Sequence, residues 1–171
     1  MAYEGDYLGR MQRITYPDDE VVTYGYDRGG QIKSVTGRRF TTDFNYVVDV
    51  AYDEYGQRSY IEYGNGVRTT YVYDAYRRWL KSIETEYSRN GNSIEYQNIV
   101  YQFDAVGNVL GYENKTNRYE TSQTYTYDGL YQLRAANGRT VNRSEGLGSC
   151  PAYTSTYKQE FEFDSIGNMT K

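Results

Sequence analysis

The 171-residue sequence contains no histidine, one cysteine, one tryptophan and two prolines. Each shortage excludes something. A serine or cysteine nucleophile needs an adjacent base, and the commonest one is missing. The lone Cys150, flanked by the loop-forming Gly148, Ser149 and Pro151, cannot close an internal disulfide, so no disulfide framework supports the chain. No apolar run approaches the ~20 residues of a membrane-spanning helix. The opening Met1-Ala2-Tyr3-Glu4-Gly5 lacks the basic and apolar regions of a signal peptide. Basic residues are scattered through a chain of net charge −4, with short pairs only at Arg38-Arg39 and Arg77-Arg78. Nothing there tracks a phosphate backbone, so nucleic acid is not an expected partner. Aliphatic residues are comparatively few, which argues against a thick globular core.

What the chain does have is tyrosine: 23 of them, against 5 phenylalanines. Tyrosine is half apolar ring and half polar hydroxyl, suited to thin layers packed on one side and wet on the other. Such aromatic richness also argues against disorder. The tyrosines recur in a phrase: aromatic, spacer, aromatic, aspartate, then usually glycine three positions on. It reads Tyr24-Gly25-Tyr26-Asp27 with Gly30, Tyr71-Val72-Tyr73-Asp74, Tyr101-Gln102-Phe103-Asp104 with Gly107, Tyr125-Thr126-Tyr127-Asp128, and Phe161-Glu162-Phe163-Asp164 with Gly167. Val50-Ala51-Tyr52-Asp53 with Gly56 is a weaker copy, and Asp6-Tyr7-Leu8-Gly9 carries only the turn half. The motif aspartates stand at 6, 27, 53, 74, 104, 128 and 164, giving intervals of 21, 26, 21, 30, 24 and 36. A minimal unit with insertions of varying length is the mark of an array whose loops absorb the extra residues.

Within each unit the pattern is β. Thr23-Tyr24-Gly25-Tyr26, Thr70-Tyr71-Val72-Tyr73 and Thr124-Tyr125-Thr126-Tyr127 alternate with period two, putting two rings on one face of a strand. The aspartate ends the strand, because its carboxylate can accept a backbone N–H two residues on. The glycine three positions later supplies the positive φ that reverses the chain. An apolar residue follows five positions past the aspartate (Met11, Ile32, Val109, Leu133, Met169), and often another three further on (Ile14, Val35, Ile61). Five and eight differ in parity: either these residues face opposite sides, or a bulge reconciles them.

Turn chemistry also marks the other strand ends: Asn65-Gly66, Asn90-Gly91 and Pro17-Asp18-Asp19. The chain is therefore expected to be all-β, a continuous meander of antiparallel hairpins forming one array over 1–171. Two copies depart from the pattern. After Asp74 the turn runs Ala75-Tyr76-Arg77-Arg78-Trp79-Leu80, with no glycine and one extra residue, and after Asp128, Tyr131 stands in the glycine's place. The stretch 137–157, glycine-rich and containing Cys150-Pro151, is expected to be a loop excursion. The sequence opens in mid-repeat and stops just after another repeat begins, so it is expected to be a piece of a longer polypeptide.

These residues resemble the YD repeats of the Rhs (rearrangement hotspot) family. The match rests on Gly5–Asp27, Tyr63-Gly64-Asn65-Gly66 with Tyr71-Val72-Tyr73-Asp74, Phe103-Asp104-Ala105-Val106-Gly107-Asn108, and Phe163-Asp164-Ser165-Ile166-Gly167-Asn168. It covers nearly the whole chain apart from 137–157. The family comprises bacterial Rhs polymorphic toxins, the C component of insecticidal toxin complexes, wall-associated proteins and animal teneurins. The resemblance implies a β-ribbon that spirals into a hollow shell, which in the bacterial toxins encloses a C-terminal toxic polypeptide. The family's self-cleaving core, with an Asp-Pro-x-Gly-Leu run, has no counterpart in this sequence.

The expected function is accordingly structural: a shell segment that encapsulates or scaffolds another part of its own polypeptide, secreted or at the cell surface, and bacterial. The motif residues are expected to carry architecture, with no catalytic, metal or cofactor site. An alternative is a surface module binding carbohydrate or a protein partner through exposed Tyr and Trp79 rows. An enzyme is the least favoured reading, since Asp18-Asp19-Glu20 reads as a solvated turn tip. Asn114-Lys115-Thr116, Asn142-Arg143-Ser144 and Asn168-Met169-Thr170 match the N-glycosylation pattern. Cut from its shell, the ribbon has two open edges, which are expected to pair with other strands or be shielded by loops.

Overall fold

A computed structural model describes residues 1–89, 91–116, 118–142 and 152–170. Among them it contains thirteen β-strands and no helix. In the sheet, strand order is chain order, from β1 to β13. The chain divides into two compact units, Met1–Tyr71 with Thr85–Ile94, and Val72–Glu84 with Glu95–Lys171.

The first unit holds β1 (Ala2–Gly5), β2 (Met11–Thr15), β3 (Val21–Tyr26), β4 (Ile32–Arg39), β5 (Thr42–Tyr52) and β6 (Arg58–Tyr63). The division falls within β7 (Val67–Tyr73), β8 (Leu80–Arg89) and β9 (Asn92–Phe103). The second unit continues through β10 (Val109–Lys115), β11 (Tyr119–Tyr127), β12 (Leu133–Asn142) and β13 (Tyr153–Glu160). Neighbours pair antiparallel, as Tyr24 with Val35 in the first unit and Tyr125 with Ala136 in the second.

The parity conflict is resolved by bulges. Gly25 pairs Ser34 but Tyr26 pairs Ile32, so Lys33 is the extra residue. The same step occurs at Ala51/Tyr52, at Thr126/Tyr127 and at Val109/Gly111. Each bulge lies six residues past a motif aspartate, which returns the apolar positions at five and eight to one face.

The core is thin. Only Val22, Ile61 and Ala136 are buried hydrophobics among the described residues, at 7%, 8% and 5% exposure.

The loop expected over 137–157 is narrower than the sequence suggests. Residues 137–142 belong to β12 and 153–157 to β13, paired from Ala135↔Glu160 to Asn142↔Tyr153. Gly138 signals close approach rather than a turn, since a Cβ there would collide with the Tyr157 ring. Asn90, Cys150 and the Arg143-Ser144 half of one glycosylation triplet lie outside the described residues.

Candidate functional site

The residues singled out by the repeat converge on its turns. At six of the seven turns the aspartate N–H donates to the carbonyl four residues on: Asp6 to Arg10 at 2.8 Å, Asp27 to Gln31 at 2.9 Å, Asp53 to Gln57 at 2.8 Å, Asp104 to Asn108 at 3.0 Å, Asp128 to Gln132 at 3.0 Å and Asp164 to Asn168 at 2.9 Å. The carboxylate Oδ1 then accepts backbone N–H groups from inside the turn. Asp104 takes three, from Val106, Gly107 and Asn108, at 2.8–3.0 Å. Asp53 accepts from Tyr55 and Gln57, and Asp128 from Leu130 and Gln132, all at 2.9 Å. The second oxygen is filled by a side chain four residues on: Arg10 on Asp6, Asn108 on Asp104 and Asn168 on Asp164.

These bonds shift the carboxyls. Backbone N–H groups of Arg77 and Tyr76 hold Asp74 below its ordinary value of 3.8, and the Asn168 side chain and N–H do the same for Asp164. At Asp6 and Asp104 desolvation pushes upward, but hydrogen bonds from Arg10 and from Asn108 outweigh it.

The left-handed position is filled in every turn. Gly9, Gly30, Gly56, Gly107 and Gly167 have φ between 76° and 102°. Where glycine is missing the residue present adopts the same conformation: Tyr131 at 62°, and Arg78 at 61°. The extra residue after Asp74 moves the closing bond to Trp79, whose carbonyl accepts from the Asp74 N–H at 2.8 Å.

Successive repeats are tied in two ways. First, the side chain that follows the left-handed residue covers the next repeat's glycine. A Cβ added at Gly30 would lie 3.2 Å from Arg10 Nη1, one at Gly56 3.2 Å from Gln31 Nε2, one at Gly107 3.0 Å from the Trp79 ring, and one at Gly167 3.2 Å from Gln132 Nε2. Second, the motif tyrosine reaches back: the Tyr26 hydroxyl donates to the Met11 carbonyl at 2.5 Å, Tyr52 to Ile32 at 2.9 Å and Tyr127 to Val109 at 2.8 Å. Those carbonyls lie at the bulge, before pairing to the tyrosine's strand begins at Arg13, Val35 and Gly111. Phe103 and Phe163 cannot make this bond; Phe103 instead packs on Trp79 with centroids 5.2 Å apart, and Phe163 bridges Met169.

Two of the first rings, Tyr71 and Tyr101, pack across strands. Tyr101 lies 6.1 Å from Tyr112 and 6.4 Å from Phe103, Arg58 stands over Tyr71 at 5.4 Å, and Tyr125 hydrogen-bonds Gln123. Phe161 donates its N–H to the Arg134 carbonyl at 2.9 Å. Tyr73 sits under Arg78 at 5.8 Å. Tyr24, Tyr26, Tyr52, Tyr71, Tyr73, Tyr101, Phe103, Tyr125, Tyr127, Phe161 and Phe163 are all half-buried.

Other candidates resolve as structure. Glu20 accepts the Tyr46 hydroxyl and Asp18 pairs with Arg39 at 3.5 Å, so the 18–20 tip is tied to neighbouring strands rather than merely solvated. Asn114 is 6% exposed, and its Oδ1 accepts the Asn98 N–H at 2.8 Å, which leaves no room for a glycan. The covering residues Arg10, Gln31 and Gln132 were not singled out in the sequence, although a long polar side chain after the left-handed residue recurs there.

No protein-family model matches the chain. Two curated toxin subunits of Yersinia entomophaga do: YenC1, 32% identical over 96% of this chain and 18% of its own length, and YenC2, 33% identical over 71% and 15%. Among solved structures, the crystal structure of TcdB2-TccC3-Cdc42 aligns with 98% of this chain and 9% of that chain at 27% identity, with a TM-score of 0.83. The Photorhabdus luminescens Tc holotoxin pore aligns with 98% and 8% at 26% identity, with a TM-score of 0.80. The chain thus spans less than a fifth of the length of the relatives it matches.

Proposed function

Because the chain belongs to the YD-repeat, or Rhs, family, we propose that it is a length of wall in a β-shell enclosing the C-terminal, toxic part of its own polypeptide. The protein it comes from is, on this reading, a secreted bacterial toxin component. The observation that carries the proposal is what the motif side chains are used for. Aspartates, glycines and tyrosines all serve bonds within and between neighbouring repeats, so the repeat maintains a sheet one layer thick. The similarity to toxin subunits agrees with this use. Recognition of a carbohydrate through motif rings needs a row of rings open to solvent, and these rings are half-buried.

The test uses the full reading frame. The C-terminal region is expected to resist limited proteolysis in the intact polypeptide and to become sensitive when several turn aspartates, such as Asp104 and Asp128, are replaced by alanine. A C-terminal region digested as fast in the intact polypeptide as when expressed alone sinks the enclosure reading.

A further inference from the structure

One groove between successive turns is unlike the others. Elsewhere a long polar side chain covers the next repeat's glycine, and a motif tyrosine hydroxyl reaches back to the bulge carbonyl. Between the Asp74 and Asp104 turns both devices are changed. The covering side chain is Trp79, the one tryptophan of the chain, and the reaching position is Phe103, which has no hydroxyl to give. The Asp74 turn also carries an extra residue, and the Arg77 guanidinium lies over the Trp79 ring at 4.7 Å.

A cleft of about 290 Å³ opens here. That is near the lower end of the roughly 300–1,000 Å³ of small-molecule sites, which suits one ring with one substituent. Trp79, Tyr101 and Phe103, all half-buried, give the cleft aromatic walls. Arg77 and Lys81 line it as well, and both are exposed. Arg77 Nη1 donates to the Ala105 carbonyl at 2.8 Å, a neutral acceptor. Neither cation forms an ion pair among the described residues. The two carboxylates at the cleft are engaged in their own turns. Asp74 Oδ1 accepts the N–H groups of Tyr76 and Arg77 at 2.9 and 2.7 Å. Asp104 Oδ1 accepts three backbone N–H groups, and its Oδ2 accepts the Asn108 side chain at 2.7 Å.

What stays open is aromatic surface beside two cations with unused N–H donors. The complementary ligand is flat, apolar and anionic. We propose that this cleft is a binding site for a small aromatic carboxylate, its ring packed among Trp79, Tyr101 and Phe103 and its carboxylate held by Lys81 and Arg77. Ring burial supplies the affinity, and the cations fix the orientation. The other turns lack the site, because a tyrosine hydroxyl or a long polar side chain occupies the same groove. The proposal does not rest on the shell reading.

Trp79 is the chain's one tryptophan, so its fluorescence reports the cleft directly. The 171-residue chain is titrated with benzoate, with acetate and with benzyl alcohol at constant ionic strength, and amide shifts are followed by NMR alongside. Benzoate is expected to give a saturable change at about millimolar concentration, with the largest amide shifts around Trp79 and Phe103. Acetate, which lacks the ring, and benzyl alcohol, which lacks the charge, are expected to bind far more weakly. Lys81→Gln, with unchanged circular dichroism, is expected to weaken benzoate binding about threefold, and Lys81→Gln with Arg77→Gln about tenfold. Lys33→Gln, in the first unit, is expected to change nothing. Should the double variant misfold, Lys81→Gln alone decides. The absence of a saturable benzoate response overturns the proposal, as does acetate or benzyl alcohol binding equally well. So does a folded Lys81→Gln chain that holds benzoate as tightly as the wild type.

Discussion

Tyr52→Phe removes one hydroxyl and leaves the ring in place. That hydroxyl donates to the Ile32 carbonyl at 2.9 Å, across the bulge that Lys33 creates. An intramolecular hydrogen bond contributes about 0.5–1.5 kcal/mol net, and a carbonyl left fully buried costs more. Because Tyr52 is only half-buried, water can reach the freed carbonyl, so a loss of about 1 kcal/mol is expected. Hydrogen exchange is the suitable assay, because a repeat array need not unfold as one unit. Amides of β4 and β5 that exchange by opening of this region should exchange roughly fivefold faster. Tyr26→Phe and Tyr127→Phe should act alike on their own strands, and the effects should add, since the sites share no partners. The control is Tyr7→Phe on an exposed turn tip, expected to change nothing. If Tyr52→Phe leaves β4 exchange unaltered, the hydroxyl does not hold the bulge and the account of why the motif uses tyrosine fails.

The remaining predictions concern the turns. Gly56→Ala forces a φ of 77° on a side chain whose Cβ would lie 3.2 Å from Gln31 Nε2, and should cost about 1–2 kcal/mol in urea unfolding. Tyr131→Gly works the opposite way: it relieves a left-handed tyrosine at φ 62° and should stabilise by roughly 0.5–1 kcal/mol once glycine's extra chain entropy is subtracted; a lower melting temperature would contradict it. Acid should loosen the turns. The carboxyls of Asp6, Asp74, Asp104 and Asp164 lie below their ordinary 3.8 when folded, so their contribution is present above that value and is lost as pH falls through the folded values. Melting temperature should therefore hold between pH 7 and 5 and drop below about pH 4; a flat profile through that range counts against the clasp.

Period-two rings and turn residues made the hairpin meander legible, because both are local: a strand face and a reversing glycine need only adjacent residues to declare themselves. The Asp–glycine turn was legible for the same reason, and Tyr131 could be located as a substitute once the spacing was counted; Arg78 could not, because the position three past Asp74 is Arg77. The bulge was legible only as an alternative, since Ile32 and Val35 conflict in parity whichever way a regular strand is drawn. What stayed hidden is non-local. That the Tyr52 hydroxyl bonds the previous repeat, or that Gln31 lies over Gly56, depends on register between strands. Asn137-Gly138 misled because glycine beside asparagine has the composition of a turn, whereas this glycine is small so that Tyr157 can cross it.

The two repeat-to-repeat links also account for where the array tolerates insertions. Between Asp6 and Asp27, Arg10 covers Gly30 forward while Tyr26 reaches back to Met11. Between Asp27 and Asp53, Gln31 covers Gly56 while Tyr52 reaches back to Ile32. Both links lie at the aspartate end of the hairpins, so each turn is fixed by its neighbours there, and a residue added inside it must be absorbed by a local change. The Asp74 turn has one such residue, and it closes on Trp79 with Arg78 left-handed. At the far ends the links differ from hairpin to hairpin: Glu20 accepts the Tyr46 hydroxyl and Asp18 pairs with Arg39 at one, and the Tyr119 hydroxyl donates to the Tyr96 carbonyl at another. There the strands need only lengthen in pairs, as β4 and β5 do, meeting at Arg39↔Thr42. The interval between aspartates can then grow from 21 to 36 residues without disturbing the seam, and the ring-aspartate phrase is the part of the repeat that geometry holds constant.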